Sequence, residues 1–217
     1  MWKDFPQHLA ARTRCAVVTY SRAGYGASDP LAAAREPEYM HHEALTMLPE
    51  LLSALRIERP VLFGHSDGAS IALIYAGTHP GAARALVLEA PHVFVEDLTV
   101  RSIAAAKEAW TATGLRERLA RYHADVDGAF RGWNDIWLDP RFRDWNIEEY
   151  AGHVHCPVLI VQGESDEYGT LAQVESIAAR APRSETLLIP GAGHSPHRDA
   201  PDAVLDRVAA FVEALPG

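Results

Sequence analysis

Cysteine is almost missing from this chain. Its two copies, Cys15 and Cys156, each stand beside an apolar run, a setting in which a thiol usually serves as a small buried hydrophobe. Two cysteines so placed exclude a disulfide framework and point to a reducing compartment. Positive charge is also scarce, since 20 Lys and Arg face 29 Asp and Glu for a formal charge of -9. The basic residues are scattered rather than clustered, which argues against a nucleic-acid or anionic-membrane surface. No apolar run approaches the length of a membrane span, and the N-terminus lacks the basic-then-apolar pattern of a signal peptide. Repeats, low-complexity tracts and interdomain linkers are absent from the sequence too. These absences predict a soluble, cytoplasmic chain of 217 residues, enough for one core with a small inserted subdomain. The expected partners are small molecules or proteins, with no nucleic acid and no membrane; a homo-oligomer is left open.

The most informative stretch that is present runs Val61-Leu62-Phe63-Gly64-His65-Ser66-Asp67-Gly68-Ala69-Ser70-Ile71. It reads as a strand, a sharp Gly-x-Ser-x-Gly turn and a helix. A serine at the apex of such a turn sits in strained backbone with its hydroxyl exposed, and Gly64 and Gly68 are expected where a side chain would strike the neighbouring strand or helix. The helix that follows points its first N–H groups and positive dipole end at the same spot, which favours an oxyanion there. Ser66 is therefore the candidate nucleophile. Taken alone, the pattern also fits a serine in an ordinary strand-to-helix loop.

The rest of the chain supplies the context. Residues 15–20 form a short apolar run expected as a strand buried on both faces of a parallel sheet. A Gly- and Pro-punctuated loop follows, then an amphipathic helix over 43–55, the strand at 61–63, the elbow helix and a strand at 85–90. This alternation predicts an open, mostly parallel α/β sheet flanked by helices. From 95 to 150 the alternation gives way to a helical pattern with breaks expected at Gly114, Gly128 and Asp139-Pro140. That segment reads as a cap inserted between core segments 1–94 and 151–217. It holds Trp110, Phe130, Trp133, Trp137, Phe142 and Trp145. These rings either roof an apolar pocket or only pack the cap together. On the first reading Phe130, Trp133, Trp137 and Trp145 face a crevice above Ser66, with His65 beside the nucleophile. The sheet then resumes at 157–161 and 186–189, and a helix over 203–215 closes the pattern.

Loops at the carboxyl ends of parallel strands converge on one crevice. Those loops carry Ser66, then Asp166 in Gly163-Glu164-Ser165-Asp166, then His194 in Gly191-Ala192-Gly193-His194. This order of nucleophile, acid and histidine resembles the α/β-hydrolase superfamily over nearly the whole chain. The resemblance implies Ser66 as nucleophile, His194 as general base, Asp166 as the carboxylate that orients the imidazole, and the Asp67 backbone N–H as an oxyanion donor. It also implies no cofactor. Glu164 and Glu167 are alternative acids, and His197 is an alternative base that lacks the preceding Gly-x-Gly. A metal is not expected: His153, His155 and Cys156 alternate along an extended run and no fourth ligand is apparent.

The sequence also departs from the family's pattern. In relatives, a strand ending in a His-Gly-type loop precedes the helix carrying Trp2, Phe5 and Leu9, and that loop supplies a second oxyanion N–H. Three strands with their connections would take about 30 residues. The expectation is that Met1 is an internal methionine of a longer ancestral chain, the alternative being a minimal form with a half-built oxyanion hole. Ser21-Arg22 likewise stands where many relatives have Asp-Arg. Serine at the elbow disfavours the dehalogenase and epoxide-hydrolase branches, which use aspartate there. The activity implied is hydrolysis of a small, largely apolar ester, thioester or activated C–C bond by a Ser-His-Asp triad. The alternative is a catalytically impaired relative that binds a small molecule or partner under its cap.

Overall fold

The computed structural model describes residues 1–216. Contacts divide the chain into two compact units, one comprising Met1–Val18, Met40–Phe94 and Asn146 onward, the other Thr19–Tyr39 and Val95–Trp145. In chain order the helices and strands are α1 (Phe5–Thr13), α2 (Tyr39–His42), α3 (Leu48–Ala54), β1 (Val61–His65), α4 (Asp67–Thr78), β2 (Ala85–Glu89), α5 (Asp97–Ala112), α6 (Leu115–Leu119), α7 (Val126–Leu138), α8 (Glu148–Ala151), β3 (Val158–Gly163), α9 (Leu171–Arg180), β4 (Ser184–Ile189), α10 (Pro196–Asp199) and α11 (Pro201–Glu213). A π-helical segment, Glu43–Met47, joins α2 to α3. It lies just before Pro49, whose missing N–H removes a regular helical bond and lets the turn widen.

The first unit is built on a four-stranded, wholly parallel sheet in the order β1-β2-β3-β4. The central strands are buried along their length and apolar up to Glu89 and Gln162 near their carboxyl ends, as a sheet covered on both faces requires. Ala85, Val87, Leu159 and Val161 pack with Phe5 and Leu9 of α1 and Val204, Leu205, Val208 and Phe211 of α11. Strand alternation turns Leu86, Leu88, Val158 and Ile160 to the opposite face, where α4 packs on β1 and β2 and α9 on β3 and β4. Burying each such Leu, Ile or Phe is worth about 1.5–3 kcal/mol, so these strands fix the frame on which the loops at their carboxyl ends are mounted.

Residues 15–20 overturn an expectation. They form no strand; Cys15 is exposed, and Val18 and Tyr20 are 56% and 47% exposed. Only Val17 is partly buried against the core. An apolar run becomes a sheet strand only when a neighbour satisfies its backbone. Among the described residues β1 pairs on one side only, with β2, so local composition alone did not decide the outcome.

In the second unit, α5 packs on α7, and the buried Asn134 donates to the Ile103 carbonyl at 2.8 Å. Trp110 stacks on Phe130 at 4.1 Å between centroids, and Trp137, Phe142 and Trp145 form a second group with centroids 5.0 to 6.0 Å apart. Gly128 does not break this unit's helical run as expected. It lies in the first turn of α7, where the capping Asp125 accepts its N–H at 2.9 Å, and a Cβ there would meet the same carboxylate at 2.1 Å. Glycine at this place lets the cap fold over the helix end.

Candidate active site

The carboxyl ends of β1, β3 and β4 place Ser66, Asp166 and His194 within the first unit. Ser66 takes φ 54° and ψ -121° between β1 and α4, a conformation that costs a non-glycine residue about 1–3 kcal/mol. The strain is held by backbone bonds on both sides: the Ser66 N–H donates to the Glu89 carbonyl at 2.9 Å, and the Ser66 carbonyl accepts from Ala69 and Ser70. Gly64 permits the turn, because a Cβ there would lie 2.1 Å from the Gly68 carbonyl oxygen. Gly68 is different from expectation. A Cβ at that position meets nothing within 4 Å, so the second glycine of the motif has no steric necessity in this fold. Asp67 opens α4 directly after Ser66, which sets its backbone N–H in the helix's positive first turn.

His194 links the other two residues. Its Nε2 lies 3.0 Å from Ser66 Oγ and its Nδ1 lies 2.9 Å from both Asp166 oxygens. With Nδ1 facing a carboxylate, that nitrogen carries the proton and Nε2 is left to accept from the serine hydroxyl. Asp166 is held in turn by the Tyr168 N–H at 2.7 Å, the Gly169 N–H at 3.3 Å and the Gln162 amide at 2.8 Å. Burial alone would raise the Asp166 pKa, but the hydrogen bond and charge of His194 and the Tyr168 N–H outweigh it and hold the carboxyl below its usual range. Tyr168 and His92 flank the imidazole with ring centroids at 4.8 and 5.6 Å. The arrangement can pull a proton from Ser66 and stabilise the resulting imidazolium.

Two of the three alternative candidates have other partners. Glu167 accepts the His194 backbone N–H at 3.1 Å, Glu164 is exposed on the same loop, and the His197 ring lies on Glu89 at 2.7 Å. His65 is buried, and its Nε2 donates to the His194 carbonyl at 2.6 Å. Phe130, Trp137 and Trp145 are buried, while Trp133 is partly exposed and packs edge-on to Phe130. Sequence reasoning missed Glu89 and Gln162, both wholly buried polar residues near the carboxyl ends of apolar strands. That position was the available signal, since a polar group buried there needs a partner. His65, Glu89 and His197 bring one ligand atom each within 4.8 Å of one another. Both Glu89 oxygens, His197 Nδ1 and His65 Nε2 are already hydrogen-bonded to protein groups, while His197 Nε2 is buried without a hydrogen-bond partner.

The buried His65 gives a pH dependence. Burial, followed by the nearby His194, pushes its pKa down to about 3. Between the usual histidine pKa and that value the unfolded chain binds a proton that the folded chain does not, so stability falls as the solution is acidified. At pH ~4.5 the loss attached to this one ring should be roughly 2–3 kcal/mol relative to neutrality. Asp166, whose pKa is lowered, adds to the loss further down, as pH drops through the carboxylate range. Denaturant unfolding at both pH values should show that His65→Gln loses less stability on acidification than the parent. Equal losses would refute this assignment.

Comparison with known proteins places the chain. The model of the alpha/beta hydrolase family matches residues 1–207. The human serine hydrolase BPHL is 26% identical over 189 residues, covering 83% of this chain and 64% of that protein; the chain thus spans just under two thirds of that relative's length. Among solved structures, a hydrolase from Pseudomonas aeruginosa superposes with a TM-score of 0.75 at 22% identity, covering 99% of this chain and 85% of the other. A thermophilic esterase from Thermogutta terrifontis gives 0.74 at 17% identity, covering 98% and 86%. Among the described residues no helix is long and apolar enough to cross a membrane. With nearly its whole length matched by the family model, and the parallel sheet and elbow in place, the chain belongs to the alpha/beta hydrolase family.

Proposed function

We propose that this chain is a serine hydrolase acting on a small, largely apolar ester, thioester or activated C–C bond next to a carbonyl. The observation that carries the reading is the continuous hydrogen-bonded line from Ser66 Oγ through His194 to Asp166, mounted on a strained elbow. Ser66 Oγ attacks the carbonyl carbon while its proton passes to His194 Nε2, and Asp166 stabilises the imidazolium. The oxyanion formed develops at the start of α4, where the Asp67 N–H and the helix dipole favour negative charge. Collapse expels the leaving group, which takes the proton from His194, and leaves an acyl-Ser66. Water, deprotonated by the same imidazole, attacks the acyl carbon and restores the serine. Each proton removed is returned, so the cycle balances with water as the only co-substrate. The name of the human relative, a serine hydrolase, supports the class of nucleophile.

A fluorophosphonate probe tests this directly. The folded protein should gain one covalent phosphonyl group, and peptide mapping should place it on Ser66. Folded protein that stays unlabelled and hydrolyses no short-chain p-nitrophenyl ester would instead favour a ligand-binding relative without catalysis.

A further inference from the structure

Beneath the serine and histidine lies a second acid–histidine pair that the reaction scheme does not use. Glu89 and His197 are fully buried, with side-chain exposures of 0% and 0%. Glu89 ends β2 and stands opposite His65 in the register of β1 with β2. Its Oε1 accepts the His197 backbone N–H at 2.7 Å and its Oε2 faces His197 Nδ1 at 2.7 Å. Both oxygens of one carboxylate thus grip one residue of α10, three positions after His194. The backbone carbonyl of the same Glu89 accepts the Ser66 N–H at 2.9 Å. One residue therefore ties the nucleophile's turn to the segment that follows the base.

His65 closes the circuit. It precedes Ser66, and its Nε2–H donates to the backbone carbonyl of His194 at 2.6 Å. The His65 ring lies edge-on to His197 with centroids 5.3 Å apart, and Trp2 packs on both rings, at 6.1 Å from His65 and 4.6 Å from His197. The His194 N–H is held separately by Glu167 at 3.1 Å. Both backbone polar groups of the base are thus bound by side chains from elsewhere in the chain. A catalytic contact must be kept to about 0.5 Å, and a buried carbonyl that loses its donor shifts or pays desolvation.

We propose that His65, Glu89 and His197 form a buried clamp that sets the distance between Ser66 and His194, with His65 as the positioning residue that holds the His194 backbone. The clamp rests on the serine-hydrolase reading for its effect on rate, but not for its effect on His194 geometry. The test compares the parent with His65→Phe, which fills the space without a donor, His65→Gln, which restores an amide donor at similar reach, and Glu89→Gln, which keeps volume but removes the charge. Each protein is unfolded thermally, assayed with a short-chain p-nitrophenyl ester, and examined by NMR for the downfield proton of His194 Nδ1 against Asp166.

His65→Phe should lower kcat by roughly 10- to 100-fold with KM within about twofold, and should weaken or lose the downfield resonance. His65→Gln should regain most of both, and Glu89→Gln should fall between them, all three unfolding cooperatively. A His65→Phe protein with parental kcat and resonance overturns the clamp. Equal loss in His65→Gln and His65→Phe also overturns it, because ring packing rather than hydrogen bonding would then be responsible. Failure of both to fold gives His65 a role in stability alone and overturns it too. If the parent neither labels at Ser66 nor turns over ester, the serine-hydrolase reading falls, while the resonance in the His65 pair still decides the clamp.

Discussion

Ser66→Ala should reduce kcat for an activated ester by on the order of 10⁴- to 10⁶-fold, and His194→Ala should do nearly the same. The size follows from what the two groups share. The serine hydroxyl and the imidazole lie 3.0 Å apart, and in the proposed reaction that contact carries the proton, so neither group would work without the other. Asp166→Asn should cost on the order of 10³- to 10⁴-fold. An amide there can present its N–H to His194 Nδ1 and so favour the tautomer that cannot accept from Ser66, and it withdraws the charge that stabilises the imidazolium. The carboxylate is well defended against that loss, being bound by Gln162 and two backbone N–H groups as well as by His194. The double variant Ser66→Ala/His194→Ala should be hardly worse than either single one, because the pair acts as a unit. Rates measured alongside thermal unfolding check this. A Ser66→Ala protein that retains turnover within about tenfold of the parent, with the fold intact, would place the nucleophile elsewhere.

Those three residues were legible because each is announced by its own neighbours. Gly-x-Ser-x-Gly after an apolar run, an acid after Val158–Gly163 and Gly-Ala-Gly-His after the last strand are all local patterns, and a parallel sheet brings such loop ends together. What escaped the sequence depends on partners far away in the chain. Glu89 and His197 are 108 positions apart, and nothing near either one identifies the other. His65 was read as a flanking pocket residue, yet its ring turns to a carbonyl 129 positions later. Residues 15–20 have the composition of a buried strand, but pairing is a property of two strands and not of one. The π segment before Pro49 and the capping of Gly128 by Asp125 show the same limit on a smaller scale. In each case the consequence was set by the geometry around the residue rather than by its type.

The two glycines of the elbow should respond in opposite ways, although a sequence pattern treats them alike. In Gly64→Ala the new Cβ would stand 2.1 Å from the Gly68 carbonyl oxygen, 2.3 Å from its carbonyl carbon and 2.5 Å from the Ala69 nitrogen. All three are backbone atoms in the first turn of α4, so no rotamer change relieves the clash. Either β1 or the helix start must move, and both hold Ser66. The cost should exceed ordinary overpacking and reach roughly 3 kcal/mol or more, which for a chain of this size lowers Tm by about 6–12 °C. Ester turnover should fall as well, because the Ser66 hydroxyl moves relative to His194. Gly68→Ala meets nothing within 4 Å and lies inside a helix, where exchanging glycine for alanine stabilises by up to about 1 kcal/mol. Its Tm should match or slightly exceed the parental value. A Gly64→Ala protein melting within about 1 °C of the parent, or a Gly68→Ala protein that is the less stable of the two, would show that the tight approach of β1 to α4 does not fix this turn.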